Sequence, residues 1–334
     1  MSQNLKLLIV RLSSIGDIVL TTPVLRCIKT QFPQYELHFL TKVQFAGIVT
    51  PNPYVQKVHV WQNSARQTAT ALASENYDHV IDLHHNLRTL LFKFALGVNA
   101  HSFNKLNIEK WLMVCWKWNR LPAMHIVDRY LDTVSYLGVK NDGLGLDFFI
   151  SPHDEVQIPE MFPQVGGQPF IALAVGAAHA TKRLPLKKLL TVCELIKQPV
   201  ILLGGREDAD TGREIARRFT GHVVNACGQL RLGQSASVIK QAAKVISPDT
   251  GLMHIAAAFN KPIMSVWGNT IPQFGMYPYL PANTQNPFAL AEVKGLSCRP
   301  CSKIGYETCP RKHFRCMEMI NENNIADWVN NSAG

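Results

Sequence analysis

The sequence predicts an α/β protein made of two doubly wound domains in tandem, and three observations lead to this class. Short β-branched runs alternate with helix-length segments through almost the whole chain, which is typical of parallel βαβ units. The alternation stops in residues 140–169, a stretch rich in Asp, Gly and Pro, and then restarts. The length of 334 residues also exceeds what one hydrophobic core usually serves.

The order of the predicted elements gives the domain limits. Before the linker, strands are expected at 5–12, 35–41, 55–60, 79–84 and 99–103, with helices at 17–32 and 124–138. After it, strands are expected at 170–176, 200–205, 222–227, 244–247 and 263–268, with helices at 185–197, 207–219, 233–243 and 251–259. We therefore predict an N-terminal domain in residues 1–155, a C-terminal domain in 165–320 and a short helix in 321–334. Two such domains would face each other across a cleft, with ligands beyond the carboxyl ends of the strands.

Composition narrows the classes of function. The formal net charge of +10 predicts an anionic partner: nucleic acid, membrane headgroups or a phosphorylated substrate. The basic residues are scattered and no nucleic-acid-binding motif is present, so nucleic acid is the weakest of the three. Neither domain carries the G-x-G-x-x-G or Walker A sequences of dinucleotide and P-loop sites. The chain has no apolar run of membrane-span length and no signal-peptide layout, so a cytosolic location is expected.

The loop within 247–259, SPDTGLMHIAAAF, joins a predicted strand to a helix and carries more polar residues than a plain turn needs. Free N–H groups at a helix start form an anion site, Gly251 lets the backbone approach a ligand closely, and Thr250 adds a hydroxyl. Ordinary capping would explain either Asp249 or Thr250. It does not explain their combination with Gly251 and His254, so the loop predicts a phosphate or nucleotide site.

Other strand-end loops of this domain carry related chemistry. The loop AAHATKRLP (177–185) places two cations before a helix, which suits a diphosphate, although a solvated basic turn has the same composition. In GGREDADTG (204–212), Glu207 or Asp208 would accept hydrogen bonds from ribose hydroxyls, or simply open a helix. The residues expected to bind the nucleotide diphosphate are Thr181, Lys182, Arg183, Asp208, Asp249, Thr250, Gly251, His254 and Gly268.

In the N-terminal domain, VRLSSIGDIVLTTP (10–23) turns from strand to helix through two serines, a glycine and an acid. Asp17 is explained as a helix cap by the favourable dipole, but a carboxylate kept ionised at a cleft edge is also what a general base needs. The loop HHNLRT (84–89) brings Arg88, a natural partner for a substrate carboxylate or phosphate. Its histidines lack a standard metal-ligand spacing. The residues expected to bind the second substrate are Ser13, Ser14, Gly16 and Arg88.

With these motifs the chain resembles the lipopolysaccharide heptosyltransferase family, glycosyltransferase family nine. The strongest parts are IVRLSSIGDIVLTTPVL and SPDTGLMHIAAAFNKPIMSVWGNTIP, with IDLHHNLRT and TKRLP in matching order. The resemblance implies the GT-B fold, with the acceptor on the N-terminal domain, the sugar nucleotide on the C-terminal one, and the last helix packed back on the N-terminal domain. It also implies an inverting transfer without a metal cofactor, typically of heptose from ADP-heptose.

Carried onto this sequence, the resemblance makes Asp17 the candidate base and Lys182 the phosphate-binding lysine. The acceptor would be the lipopolysaccharide inner core or a related glycolipid, which implies peripheral contact with the cytoplasmic face of the inner membrane. Asn269 stands where many relatives have proline, so the resemblance does not fix the sugar or the nucleotide base of the donor. A sugar-nucleotide epimerase or hydrolase, and a non-catalytic glycolipid-binding relative, are the alternative functions.

Four cysteines cluster near the C-terminus as Cys298-x2-Cys301-x7-Cys309-x6-Cys316. Four thiols close together can hold a structural zinc ion, although the second half is wider than the usual knuckle. Free thiols are the alternative, and a disulfide is disfavoured because no secretory signal is present. The basic residues around them are expected either to touch anionic lipid headgroups or to form a solvated face: Lys294, Arg299, Lys303, Arg311, Lys312 and Arg315.

Overall fold

The computed structural model describes residues 4–331, which form eleven β-strands and fourteen α-helices. The strands are β1 (Lys6–Val10), β2 (Glu36–Thr41), β3 (Lys57–Val60), β4 (His79–Asp82), β5 (Ala100–Ser102), β6 (Ile171–Ala174), β7 (Val200–Leu203), β8 (Val223–Asn225), β9 (Lys244–Pro248), β10 (Ile263–Trp267) and β11 (Phe288–Glu292). The helices are α1 (Ile15–Val19), α2 (Thr22–Gln31), α3 (Ala46–Val49), α4 (Ala65–Leu72), α5 (Leu87–Leu96), α6 (Asn107–Trp116), α7 (Ile126–Asp132), α8 (Ile158–Met161), α9 (Leu186–Leu195), α10 (Ala209–Arg218), α11 (Leu232–Gln241), α12 (Gly251–Ala258), α13 (Arg315–Glu318) and α14 (Glu322–Asn330).

The chain folds into two compact units. The first comprises the described residues up to Lys105 together with Met124–Phe149, and the second comprises Leu106–Ala123 and the described residues from Ile150 onward. The segment containing α6 therefore belongs to the second unit, although the predicted boundary near residue 155 placed it in the first. No helix within residues 4–331 is both long and apolar enough to cross a bilayer.

The first unit is built on a five-stranded parallel sheet in the order β3-β2-β1-β4-β5. Its centre is β1, in which residues 7–10 are completely buried. Such a continuous apolar run is what a parallel strand needs when helices cover both faces of the sheet. The strand order reverses between β1 and β4, so a ligand is expected beyond the carboxyl ends of these two strands.

The second unit contains a six-stranded parallel sheet in the order β11-β10-β9-β6-β7-β8. All residues of β6 and β7 are buried, again as apolar runs. The order reverses between β6 and β9. The loops that contain Lys182 and Asp249, residues 175–185 and 249–250, follow these two strands.

Two local predictions differ from the structure. The helix expected at 17–32 is divided into α1 and α2, because Pro23 lies at the start of α2, where its missing N–H costs nothing. The edge strand β11 was not predicted: it is only partly buried and its alternation is weak.

The predicted packing of the C-terminal helix is wrong. Helix α14 packs on α9 of the second unit, and its residues Ile325 and Val329 are completely or almost completely buried in that unit's core. Glu322 forms an ion pair of 2.9 Å with Lys188 of α9. The apolar residues of α14 thus pack against α9, one of the helices that cover the second sheet. The resemblance to the family did not indicate this packing.

Candidate active site

An ion pair lies at the strand-order reversal of the first unit. Arg11 follows β1 directly, and its guanidinium is 2.5 Å from the Asp17 carboxylate in α1. Asp17 also accepts hydrogen bonds from the hydroxyl (2.8 Å) and the backbone N–H (3.2 Å) of Ser14, the residue that caps α1. The acid is therefore both a helix-capping group and one half of an ion pair. This combination fixes the orientation of its two oxygens.

Arg11 is held from several sides. Its guanidinium donates to the carbonyl oxygens of Ser13 and Leu83 and to the hydroxyl of Tyr130, at 2.9 Å in the last case. The Arg11 side chain is 8% exposed, whereas the Asp17 side chain is 20% exposed. Arg11 thus acts as a fixed support, and the group offered to solvent is the carboxylate.

The electrostatics keep Asp17 ionised. Burial works against the charged form, but the Arg11 charge and the hydrogen bonds from Ser14 outweigh it and hold the pKa of the Asp17 carboxyl below its ordinary value. Burial, followed by the charge of Arg11, lowers the pKa of His84 to about 4. At neutral pH this corner therefore contains a carboxylate, a guanidinium and a neutral imidazole.

The loop after β4 is shaped by a buried acid. Asp82 accepts the backbone N–H groups of His84 (3.0 Å) and His85 (2.7 Å) and pairs with Lys93 at 2.8 Å. Its main effect is to fold the loop that begins α5. Arg88 lies in the first turn of that helix and is exposed. Its binding role stays a prediction.

Sequence reasoning missed Arg11. The signal was present, because a cation directly after a buried apolar strand requires a counterion or several acceptors. Its partners Leu83 and Tyr130, however, lie 72 and 119 residues away along the chain. Only the folded sheet brings them together.

The second unit has a matching ion pair at its own reversal. Lys182, in the loop after β6, lies 2.6 Å from the carboxylate of Asp249, which follows β9. Asp249 also accepts a 2.9 Å hydrogen bond from Thr270 in the loop after β10. Three strand ends thus converge on one acid. Since an ammonium has three donors and Asp249 does not use them all, Lys182 keeps capacity for an anionic ligand.

Helix α12 begins at the same point. Thr250 is its N-cap residue and Gly251 its first residue, while His254 is buried one turn further on. The first N–H groups of a helix lack intrahelical partners, and the helix dipole favours an anion there. The amides of α12 and the ammonium of Lys182 therefore offer positive charge from two adjacent strand ends.

Three other residues predicted to bind the nucleotide mainly hold the loop that contains Lys182, or its neighbour, in place. Thr181 is buried and exchanges hydrogen bonds of 2.8 to 3.1 Å with the backbone of Tyr306. Arg183 donates to the Ala177 carbonyl and lies 3.5 Å from Asp208. Asp208 is buried and accepts the Gly205 N–H at 2.8 Å, so its contact with a ribose stays a prediction.

The loop after β10 is clamped by Arg299, which sequence reasoning had placed on a basic surface. Its guanidinium donates to the carbonyls of Gly268 and Thr270 and pairs with Glu292 at 2.7 Å, with both side chains less than a tenth exposed. A side chain at Gly268 would collide with the Thr181 carbonyl, 2.7 Å from the position of the added carbon. Next to it, the Asn269 amide is buried without a hydrogen-bond partner in the described part of the chain.

Two clusters contain metal-ligand side chains. His38, His59 and Glu75 form the one group in residues 4–331 whose ligand atoms all lie within 4.8 Å of one another. The Glu75 carboxylate is already paired with Lys6 (2.6 Å) and Lys57 (2.5 Å), and these ammonium groups would repel a metal ion. We therefore assign this cluster a structural role.

The second cluster contains the four cysteines. Burial first, and then the neighbouring cysteines, raise the pKa of Cys301 to about 11 and that of Cys316 to about 12. These thiols therefore influence one another, but no three of the sulfurs within residues 4–331 meet at the 4.8 Å spacing. A tetrahedral thiolate site needs sulfurs about 3.8 Å apart around a shared metal. Within the described residues, the four cysteine sulfurs are therefore too far apart to share one metal ion.

The chain is similar to known proteins of one glycosyltransferase family. The model of glycosyltransferase family 9 (heptosyltransferase) matches residues 65–302. Lipooligosaccharide heptosyltransferase 2 of Haemophilus influenzae is 24% identical over 294 residues, which cover 81% of this chain and 85% of that protein. The family 9 glycosyltransferase structure from Veillonella parvula has a TM-score of 0.75 at 19% identity and covers 98% of this chain and 97% of its own. Escherichia coli heptosyltransferase WaaC with ADP-2-deoxy-2-fluoro heptose has a TM-score of 0.67 at 19% identity, covering 97% of this chain and 98% of its own. These matches establish the GT-B fold of two parallel-sheet units.

Proposed function

The chain belongs to glycosyltransferase family 9, the heptosyltransferase family, and we propose that it is an inverting enzyme moving heptose from ADP-heptose onto a lipopolysaccharide inner-core or related glycolipid acceptor. The observation that carries the proposal is the presence of one ion pair at each strand-order reversal, with the acid more exposed in the first unit and the cation more exposed in the second. A glycosyl transfer needs both polarities: a base for the acceptor hydroxyl and positive charge for the leaving diphosphate.

In the proposed reaction, Asp17 takes the proton of an acceptor hydroxyl. The hydroxyl oxygen then attacks the anomeric carbon from the face opposite the nucleotide, which inverts the configuration. The bond between this carbon and the diphosphate oxygen breaks, and its electron pair leaves with the nucleotide. The transition state has oxocarbenium character. Because the pKa of Asp17 is lowered, the base is weak but fully ionised, and its placement must compensate for its low basicity.

Charge develops on the diphosphate as it leaves. Lys182 and the N–H groups at the start of α12, around Thr250 and Gly251, are positioned to stabilise it. Arg183, one third exposed beside the same loop, adds a second cation. In other transferases a divalent metal supplies this positive charge, so we propose that none is required here. Activity in the presence of EDTA tests this point directly.

The donor is best identified by a nucleotide screen. A ligand that binds only the folded protein raises the melting temperature, so ADP-, GDP- and UDP-sugars are compared at equal concentration. The expected result is a rise with ADP-heptose and with ADP. If none of the nucleotides changes the melting temperature, the assignment of the second unit as a donor site is wrong.

Product analysis separates transfer from the alternatives. With a lipopolysaccharide core acceptor, a transferase forms a new glycosidic bond and releases ADP in equal amount. A hydrolase or epimerase would consume the donor equally well without acceptor, and a glycolipid-binding relative would not consume it at all. We place the reaction at the cytoplasmic face of the inner membrane, where cell fractionation would detect the protein.

The zinc site stays a prediction, with Cys298, Cys301, Cys309 and Cys316 as the ligands. Metal analysis of the purified protein tests it, because a site with four thiolates would retain about one equivalent through dialysis. The Cys298→Ser variant should lose that metal, whereas Cys193→Ser, which removes a thiol buried in the core of the second unit, should keep it. Metal-free wild type would establish free thiols instead.

A further inference from the structure

Helix α5 presents an apolar face to solvent. Leu87, Leu90, Leu91 and Phe94 follow the i, i+3, i+4, i+7 spacing of one helix face and are 70%, 53%, 53% and 89% exposed. The opposite face, with Phe92 completely buried, already packs into the core of the first unit. Folding of this unit therefore leaves the four side chains uncovered, and we call them the α5 apolar face.

This exposure is not the general rule for surface helices here. On α10 the exposed positions of the last turns carry Arg213, Glu214, Arg217 and Arg218, as expected for a helix that faces water. Keeping four large apolar side chains in water is unfavourable by the same hydrophobic effect that builds the core. The α5 apolar face therefore points to an occupant outside the unit.

The charge of the surrounding segment indicates which occupant. Residues 83–105, the part of the first unit that contains α5, include three basic residues and no acidic residue. Lys93 pairs with Asp82, while Arg88 in the first turn of α5 is exposed. Helix α6 of the second unit has a similar composition by itself, with exposed Trp111 and Trp116 and with Arg120 4.4 Å over the ring of Trp118. Exposed leucine, phenylalanine and tryptophan among basic residues is the composition of helices that lie in a membrane interface.

We propose that the α5 apolar face docks on an anionic phospholipid bilayer. The four side chains enter the boundary between headgroups and acyl chains, while the basic segment is attracted by the lipid phosphates. A second copy of the chain is less suitable, since two surfaces of the same positive charge repel each other. The docking site rests on the proposed function for its purpose, because α5 begins immediately after the loop of the first unit's candidate site and would bring that site to a lipid-linked acceptor.

The test is sedimentation of the full chain with vesicles of phosphatidylcholine alone and of phosphatidylcholine mixed with phosphatidylglycerol. The wild type should bind the anionic vesicles, and added salt should weaken binding. The Leu91→Gln/Phe94→Gln variant should partition at least about tenfold less, since two apolar side chains no longer enter the bilayer. The matched control is Leu144→Gln/Met319→Gln, whose side chains are 61% and 58% exposed elsewhere and should not affect binding.

The remaining outcomes are distinguishable. Equal vesicle binding by the α5 variant and the wild type overturns the proposal, and so does a wild type that does not bind anionic vesicles. If light scattering shows that the wild type is a dimer and the α5 variant a monomer, the α5 apolar face contacts a second copy of the chain and the proposal is wrong. ADP binding and transfer to a water-soluble acceptor should be unchanged in the α5 variant. If these fail in the wild type while vesicle binding persists, the proposed function is wrong and the docking site stands.

Discussion

The two strand-order reversals contain ion pairs of nearly equal length but opposite design. In the first unit Arg11 and Asp17 are 2.5 Å apart, and in the second Lys182 and Asp249 are 2.6 Å apart. In the first pair the cation is the more buried member, with 8% exposure against 20% for the acid. In the second pair the acid is more buried, with 9% exposure against 16% for the cation.

The difference shows how one architecture presents opposite charges at its two strand-order reversals. The member locked by additional hydrogen bonds acts as a support, as Arg11 does through Leu83 and Tyr130 and as Asp249 does through Thr270. The other member is presented to solvent. A parallel sheet with a strand-order reversal thus fixes the place of a site, while the hydrogen bonds around each pair fix its polarity.

The largest expected effect is on the acid of the first pair. Replacing Asp17 with Asn removes the proton acceptor but keeps the shape of the side chain. Transfer should fall by about three orders of magnitude, within the range of general base catalysis, while ADP binding changes less than about twofold. Initial rates of ADP release with acceptor present, together with calorimetry of ADP binding, measure the two quantities.

The control for this variant is Asp210→Asn, which changes an acid in the first turn of α10 that is 89% exposed. It should transfer at the wild-type rate. The Asp17→Asn variant also leaves the buried Arg11 without its counterion, so its melting temperature must be measured and the assay kept well below it. Transfer within tenfold of the wild type would remove Asp17 from the mechanism and leave it a helix cap.

The next effect concerns the cation of the second pair. Lys182→Gln should weaken ADP binding about 10- to 100-fold, because a charge-assisted hydrogen bond to the diphosphate is lost. Lys187→Gln, at an exposed position of α9, is the matched control and should bind normally. The double variant Lys182→Gln/Asp249→Asn separates two explanations. If Lys182 served only to neutralise Asp249, the double variant would bind ADP as the wild type does.

The sequence predicted the architecture well because apolar strands in parallel sheets leave a strong local signal. It also placed Lys182 and Asp249 in equivalent loops, and the fold brings them into contact. It did not reveal Arg11 or Arg299, whose roles depend on partners that the chain delivers only after folding. The packing of α14 was wrong for a similar reason, since an apolar stripe shows that a helix is covered but not by which surface.

A smaller effect concerns the stability of the two units, which should depend differently on pH. Burial lowers the pKa of both His59 and His84, in the first unit, to about 4. Above about pH 6.5 both folded and unfolded states are neutral at these sites; as pH falls below that, the unfolded state binds protons first and stability is lost. The loss is about 1 kcal/mol per histidine by about pH 5.5.

Hydrogen exchange, corrected for intrinsic rates, measures this loss separately in β1 and β4 and in β6 and β7. Protection should decrease in the first unit by about 30-fold between neutral pH and about pH 5.5, because the losses at the two histidines add. His59→Gln should remove about half of this loss, because His84 remains, while His153→Gln, with a side chain 72% exposed, should leave it unchanged. An equal decrease in both units would show that they open together, so the pH dependence would not separate them.

The smallest expected effect concerns the hydrogen bond that the Ser14 hydroxyl donates to Asp17. Ser14→Ala removes the 2.8 Å hydrogen bond from the hydroxyl to Asp17 but leaves the Arg11 pair and the Ser14 N–H. Because that bond favours the carboxylate, its loss should raise the pKa of Asp17, and the acid limb of kcat/KM against pH should move to higher pH by less than about one unit. Above that limb the rate should change at most severalfold, since the base is then ionised in both proteins. A limb that stays in place while the rate falls at every pH would mean that Ser14 contacts the acceptor itself, and the polarity of the first pair would then depend on Arg11 alone.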